Sequence, residues 1–461
     1  MPNFRKYLQR PLHDMNKRII TNIWSVNKYT LYLWFLMLIL ISFSVYSAYI
    51  GSDVIFWNAE GEIYWNTYKQ ITSGKVPFKD FFLEYPPLAP YLLSLPVIFG
   101  VVTEKATYLY YWIIILGLVY NFSYWWNWIL VDVYSRFNKI VFLVTWFVVI
   151  SYTVLNFSTV GTRYDYLIAT MCFWAFLIYT EYLKARISKY FLYLSTLILA
   201  IGTLTKIYPI FFMGIIVVIE IAHKRYKLLG LNLLVFSIIV ASVLAGFYYS
   251  GKENFEKFVS WQGLKRDIQI ESSYAGVLFA LEKNNLIGIQ TVTGQNGALE
   301  IVSPESSSIA KYTNYLMVAL IIALYIFLYL LARRNSEIIS ITVVSTISLS
   351  LILIAFNKVF SPQYLAWSIL LLPLLNLIPQ INYKKIKQIL ILSSIFSLIS
   401  ITTNLIYPHH YGKLIEKKPE LVLLLNIRTV IILSSLVYCL NWLYKSSRNG
   451  INYGFKKIKK K

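Results

Sequence analysis

Asp53, in Gly51-Ser52-Asp53, directly follows a run of some twenty apolar residues. A carboxylate held between lipid and loop has its ionised form disfavoured by desolvation, which moves its pKa toward a range useful for a general base. A plain polar stop to the preceding helix is the simpler reading of the same residue. Glu84, in Phe81-Phe82-Leu83-Glu84-Tyr85-Pro86-Pro87, is the second acid expected under this loop, whereas Asp80 and Glu60 are expected to face water. Further along, Arg163 and Asp165 stand two residues apart in Gly161-Thr162-Arg163-Tyr164-Asp165 and so do not share a helix face. Either one caps the helix and the other pairs with a loop charge, or Arg163 faces an anion and Asp165 fixes the site.

Lys206 lies in Thr205-Lys206-Ile207-Tyr208-Pro209. It either snorkels to the interface or, because Pro209 breaks the helix beside it, lines a cavity. Arg266 and Glu271 belong to a mixed-charge segment, Trp261 to Ser272, that would ordinarily be solvated. Gln363, Tyr364 and Trp367 open another apolar run, where aromatic residues commonly form an interfacial belt. Arg428 sits several residues inside the last apolar run, where an unpaired cation is costly, so it requires an anionic partner. Arg163, Lys206, Arg266 and Arg428 come from separate elements, and such a cluster suits a phosphate carried on a lipid. No Walker A and no G-x-G-x-x-G loop occurs, which argues against nucleotide chemistry. His409-His410 has no carboxylate or cysteine at ligand spacing, so no metal site and no cofactor is expected, although a divalent metal stays open.

The elements that must position these residues are apolar. The 461 residues are 57% hydrophobic and 14% charged, with a mean hydropathy of +0.58. A soluble domain carries about 25% charged residues. Runs near 20 residues recur from Tyr29 to Tyr444, long enough for a ~30 Å hydrocarbon core. A soluble enzyme, a disulfide module and a disordered chain are thereby excluded, and a β-barrel is disfavoured because its strands would alternate apolar and polar residues. The expected fold is an all-α polytopic membrane protein of about twelve transmembrane helices. Its basic N-terminus and first spanning run read as an anchor, not a cleaved leader. Cys172 and Cys439, both inside apolar runs, read as packing residues.

Lys and Arg outnumber Asp and Glu 43 to 21. The basic residues cluster between apolar runs and at both ends, so they read as cytoplasmic anchors rather than a nucleic-acid surface. Both termini are then cytoplasmic, the tail 445–461 included, and most carboxylates fall on the outer side. Two outer loops, 51–106 and 250–311, are too long to be mere connections. In the first, Trp57, Tyr64, Tyr68 and Ile71 form one face of a helix expected to lie on the membrane surface. Pro86, Pro87, Pro90 and Pro96 make Leu88–Val102 a juxtamembrane helix rather than a span.

An acid after the first span, followed by Gly74-Lys-Val-Pro77-Phe-Lys-Asp80-Phe-Phe-Leu-Glu84-Tyr-Pro-Pro87, resembles the first loop of the GT-C superfamily of membrane glycosyltransferases. Within it the chain looks closest to glycosyltransferase family 87, the polyprenyl-phosphate-mannose-dependent mannosyltransferases, and their archaeal relatives. Arg163-Tyr-Asp165, Lys206-Ile-Tyr-Pro209, Ile268-Gln-Ile-Glu271-Ser272, Ser361-Pro-Gln363-Tyr364 and Arg428 resemble later parts of that pattern. The resemblance implies a single GT-C-like membrane domain whose catalytic base is Asp53. It implies a hexose, mannose foremost, moved from a polyprenyl- or dolichyl-phosphate donor to an outer-face lipid or glycan acceptor. Glu84, Arg163, Asp165, Lys206, Arg266, Glu271, Gln363, Tyr364 and Arg428 would then bind the substrates. The implied setting is the outer face of the plasma membrane and the building of a cell-envelope glycan. A lipid-linked sugar flippase is the alternative, but repeated halves, common in transporters, are not visible.

Overall fold

The computed structural model describes residues 59–130, 136–160, 163–184, 188–263, 266–294, 298–333 and 337–458. Asp53, Trp57 and the first apolar run lie outside the described residues. The helices, in chain order, are α1 (Ala59–Thr72), α2 (Ala89–Leu93), α3 (Lys105–Leu130), α4 (Arg136–Leu155), α5 (Phe157–Val160), α6 (Asp165–Leu183), α7 (Tyr190–Thr205), α8 (Pro209–Ala222) and α9 (Tyr226–Ser250). They continue with α10 (Lys252–Gly263), α11 (Ser273–Lys283), α12 (Pro304–Ala332), α13 (Ile338–Ala355), α14 (Ala366–Ile369), α15 (Tyr383–Asn404), α16 (Tyr411–Ile415) and α17 (Pro419–Ile458). Eight of the described helices are long and apolar enough to cross a bilayer. The chain is a multi-pass, all-α membrane protein.

The other expected spans among the described residues are shorter or broken. With 16 and 14 residues, α7 and α8 extend about 24 and 21 Å at 1.5 Å per residue, less than a full hydrocarbon core. Residues 362–377 do not form one span. They fold as 3₁₀ turns, Pro362–Leu365 and Leu372–Leu377, on either side of α14, and every one of them is buried inside the protein. Pro362 and Pro373 each open a 3₁₀ turn and interrupt the ladder, and such broken backbone at membrane depth is tolerated where protein surrounds it. Trp367 is accordingly 4% exposed, which corrects its reading as a belt residue.

At the centre stands α13, whose apolar window is 94% buried, against 17% for α9 on the periphery. It packs on α17, α12, α8 and α6. Its hydroxyls would be expensive in an apolar core if unpaired. Thr342, Thr346 and Ser348 each donate to the carbonyl four residues back, at 2.7–2.8 Å, and Ser350 meets Ser368 at 2.7 Å. Such small hydroxyl residues let helix backbones approach closely.

The two long loops fold into a cap. α1 forms as its spacing predicts, but Tyr64 (1% exposed) and Tyr68 (0%) face protein, against Trp112 and Tyr108 of α3. The apolar face of this helix is therefore covered by the bundle, not left for lipid. Leu88–Val102 becomes α2 and a 3₁₀ turn, Leu95–Phe99, whose tip leaves Val97, Ile98, Phe99 and Val101 exposed. The second loop holds α10, α11 and a small antiparallel sheet of β1 (Ile268–Gln269), β2 (Gln290–Thr293) and β3 (Leu299–Val302), in the order β1-β3-β2. Ile268 pairs with Ile301 and Gln269 with Glu300. Both cysteines are free and buried.

Candidate active site

Four breaks in regular structure supply the site. Lys206 ends α7 in an extended conformation (φ −155°, ψ 136°), because Pro209 opens α8 only three residues on. A Cβ on Gly202 would already lie 3.3 Å from the Pro209 ring, so the two helices meet tightly and the lysine is turned out of both. Asp165 is the first residue of α6, where a carboxylate is favoured by the helix dipole. Its Oδ1 accepts hydrogen bonds from the Lys206 ammonium and from Trp367 Nε1 at 3.0 Å, and the residue is 2% exposed. The Lys206 ammonium also faces the rings of Tyr164, Tyr364 and Trp367, at 5.1, 4.9 and 5.6 Å from their centroids. Trp367 is itself sandwiched between Tyr208 and Tyr364, at 3.9 and 4.2 Å.

The third break is the segment from Ile268 to Ser272. Gln269 N donates to Lys358 O at 3.0 Å on one side, and Ile270 N to Leu299 O at 3.1 Å on the other. Ser272 caps α11 by accepting from Ala275 N at 3.2 Å. Helix α17 fastens this segment twice: Arg428 Nη2 donates to Glu271 O, and Asn426 Nδ2 to Gly276 O at 3.1 Å. A Cβ on Gly276 would fall 2.4 Å from Asn426 Oδ1, so a larger residue there would push the Asn426 side chain away. The fourth break is the turn after α15, where Tyr407 leaves helical geometry (φ −134°, ψ 125°) before Pro408.

The first loop is tied to the same place. Leu88 N donates to Leu204 O at 2.9 Å, two residues before Lys206. Phe78 plugs a pocket of Phe247, Phe255 and Phe258, with ring centroids 5.6–5.7 Å apart. Asn254 Nδ2 holds the Phe78 carbonyl at 2.8 Å. Phe78 has positive φ (64°), and Gly251 leaves room for its carbonyl, since a Cβ there would lie 2.2 Å from that oxygen. Glu84 and Tyr85 thus descend from a pinned loop.

These segments enclose a cavity of about 430 Å³, within the range of small-molecule sites. Of the residues expected at a site, Glu84, Arg163, Asp165, Lys206, Arg266, Glu271, Gln363 and Tyr364 all line it. Arg428 does not. It lies one layer behind Glu271, 1% exposed, with its guanidinium 4.2 Å above the Phe360 ring. Its main hydrogen-bonded partner is a carbonyl rather than the carboxylate the sequence reading required, although the Glu271 charge is close enough to interact with it. Asp53 lies outside the described residues.

The walls carry three cations, Arg163, Lys206 and Arg266, and three acids, Glu84, Asp165 and Glu271, so the cavity is formally neutral rather than simply cationic. Arg266 Nε stands 3.7 Å from Glu300 Oε1. Burial raises the Glu271 carboxyl to about 7, opposed by the charges of Arg428 and Arg163 and by the hydrogen bond from Gln269. Burial also lowers the pKa of Arg163, with Tyr407, Asp165 and Glu271 acting the other way. Burial and the nearby Asp267 charge act in opposite senses on Lys358, and burial wins, pulling its pKa down.

Sequence reading missed the aromatic share of this lining: Tyr64, Tyr85, Tyr164, Tyr407 and Tyr411. In a chain with 38 tyrosines, nothing in the local pattern separates these from membrane-belt or core residues. Gln269 was also overlooked as a site residue; it ends β1, and a turn closed by Ser272 N donating to Gln269 O at 2.9 Å brings Glu271 back beside it, which no alternation pattern signals. No family model matches the sequence, no curated protein matches it, and no solved structure matches the chain.

Proposed function

We propose that this protein is a membrane glycosyltransferase of the GT-C type. It moves a hexose, mannose foremost, from a polyprenyl- or dolichyl-phosphate donor to a lipid or glycan acceptor on the outer face of the plasma membrane. In this reading both termini are cytoplasmic, and the product belongs to a cell-envelope glycan. The observation that carries the proposal is the convergence of Glu84, Arg163, Asp165, Lys206, Arg266 and Glu271, from separate segments, on one cavity at the junction of bundle and cap. Ionisable groups gathered in a cleft, with Arg163 and Glu271 among them perturbed by burial, are the usual mark of a reactive site.

The chemistry is an in-line displacement with inversion. Asp53, six residues before the helix that supplies Ile63 and Tyr64 to the cavity wall, takes a proton from an acceptor hydroxyl. The hydroxyl oxygen bonds to the anomeric carbon as the bond from that carbon to the phosphate oxygen breaks. The departing lipid phosphate keeps the electron pair, and its charge is stabilised by Arg163, Lys206 and Arg266. Asp165, itself held by the Trp367 indole, and the Trp367 ring face hold Lys206 in place for this. Arg428 acts from behind, through Glu271.

The test is sugar transfer by membranes containing the full chain, supplied with radiolabelled polyprenyl-phosphate-mannose, beside Asp53→Asn. The wild type is expected to form labelled product and the variant to lose about 10²–10⁴-fold of the rate, the usual share of a general base. Equal rates would move the base to another carboxylate, with Glu84 next. Donor crossing the bilayer unchanged would overturn the transferase reading in favour of a flippase.

A further inference from the structure

Gln269, at the end of β1, and Glu271, in the turn that follows it, both line the cavity, and they are 5% and 2% exposed. Gln269 Nε2 donates to Glu271 Oε2 at 2.6 Å. An ionised carboxylate only accepts hydrogen bonds, so the amide nitrogen must face it, and the amide oxygen is thereby directed away. The outcome is two acceptors side by side, Gln269 Oε1 and Glu271 Oε1, both buried and neither with a hydrogen-bond partner among the described residues. Buried acceptors are nearly always satisfied, and an exception in a cavity wall marks a place where a ligand completes the bonding.

The chemistry of that ligand group follows from its surroundings. Two neighbouring acceptors call for two neighbouring donors. A cationic donor is disfavoured, because the Arg163 and Arg428 charges both act on Glu271, while Tyr407 and Tyr411 face it as well. Neutral hydroxyls remain. The three cations of the same lining, Arg163, Lys206 and Arg266, suit an anion. Resting on the reading of this cavity as a sugar-phosphate site, we infer that Gln269 and Glu271 form a hydroxyl-reading wall whose two Oε1 atoms accept hydrogen bonds from a pair of hydroxyls on the bound sugar. Arg428 is a positioning residue for that wall, because it fixes the Glu271 backbone without lining the cavity. A site built to hydrogen-bond a hydroxyl rejects ligands that lack it, so this wall selects which sugar is accepted.

The test is calorimetric binding to the detergent-solubilised full chain of two probes, citronellyl-phosphate-mannose and citronellyl phosphate. The wild type is expected to bind the sugar-bearing probe more tightly. Glu271→Gln and Gln269→Met are each expected to weaken that probe about tenfold or more, the scale of a hydrogen bond to a charged or buried partner. Affinity for citronellyl phosphate should stay within about twofold, which also shows that the variants are folded. Among singly deoxygenated mannose probes, one or two should bind the wild type weakly and be indifferent to Glu271→Gln. Equal weakening of both probes would make the pair structural and overturn the inference. Equal binding of both probes by the wild type would also overturn it while leaving a phosphate site standing. Binding of neither probe would sink the sugar-phosphate reading and the wall together.

Discussion

Two buried acid–base pairs flank the cavity, and they are built differently. The Asp165–Lys206 pair leaves no buried side-chain polar atom without a hydrogen-bond partner: Asp165 Oδ1 receives both the ammonium and the Trp367 indole, and three aromatic rings surround the ammonium. In the Glu271–Arg428 pair much is left over. Arg428 donates through Nη2 to a carbonyl, its Nε and Nη1 have no hydrogen-bond partner among the described residues, and neither does Glu271 Oε1. A saturated pair fixes geometry, because every alternative arrangement loses a bond. An unsaturated pair is a standing cost that only a ligand or a proton can relieve. The difference separates a wall that is complete by itself from one that leaves hydrogen-bonding capacity open to the cavity.

Breaking the saturated pair should give the largest effect. Lys206→Met leaves a carboxylate at 2% exposure without its cation, and is expected to destabilise the protein by about 3–5 kcal/mol. Lys206→Met combined with Asp165→Asn should recover much of that loss, because the stranded charge is gone. Thermal unfolding of the two variants in detergent measures it, and a double variant no better than the single one would deny the coupling.

The unsaturated pair should respond in the opposite sense. The Glu271 carboxyl sits at about 7 in the fold, above its ordinary value of 4.5. Between these pH values the folded state holds more proton than the unfolded one, so stability falls as pH rises through that window. Above pH 7 the full cost of the ionised group is present, on the order of 3 kcal/mol for a shift of this size. Glu271→Gln removes it, so the variant should equal the wild type near pH 5 and melt at a higher temperature at pH 8. The charged and titratable groups that face Glu271 are Arg163, Arg428, Tyr407 and Tyr411, and the arginines stay charged across this window. A variant less stable than the wild type at pH 8 would show that the carboxylate is well compensated after all. The smallest effect is expected for Tyr364→Leu, which removes one of three rings over Lys206 and one face of the Trp367 stack. About 1–2 kcal/mol should be lost, with no pH dependence between 5 and 8, as read from the same unfolding scans.

Membrane class and most helix positions were legible, because uninterrupted apolarity over twenty residues matches the thickness of a hydrocarbon core and suits no water-facing element. The chemistry-bearing residues were legible for a related reason. Arg163, Asp165, Lys206 and Glu271 are charged groups set in apolar surroundings, where each needs a partner or a role. Less legible was everything that depends on what faces what. Tyr64 and Tyr68 occupy the helical face their spacing predicts, yet that spacing cannot say whether lipid or α3 covers it. Residues 362–377 are apolar enough for a span, and only their burial between other helices reveals a broken segment inside the protein.

By itself, then, the sequence determined that this is a multi-pass helical membrane protein with its polar chemistry concentrated at helix ends and in two long loops. Hydrophobic period, run length and helix-breaking prolines are properties of the chain alone. Tertiary structure decided which charges pair and which are left over. That Lys206 meets Asp165, and that Arg428 takes the Glu271 carbonyl and leaves the carboxylate to the cavity, depends on contacts between residues 41 and 157 positions apart. Hydrogen bonding at that separation is settled by a few ångströms of helix packing, which no local pattern encodes.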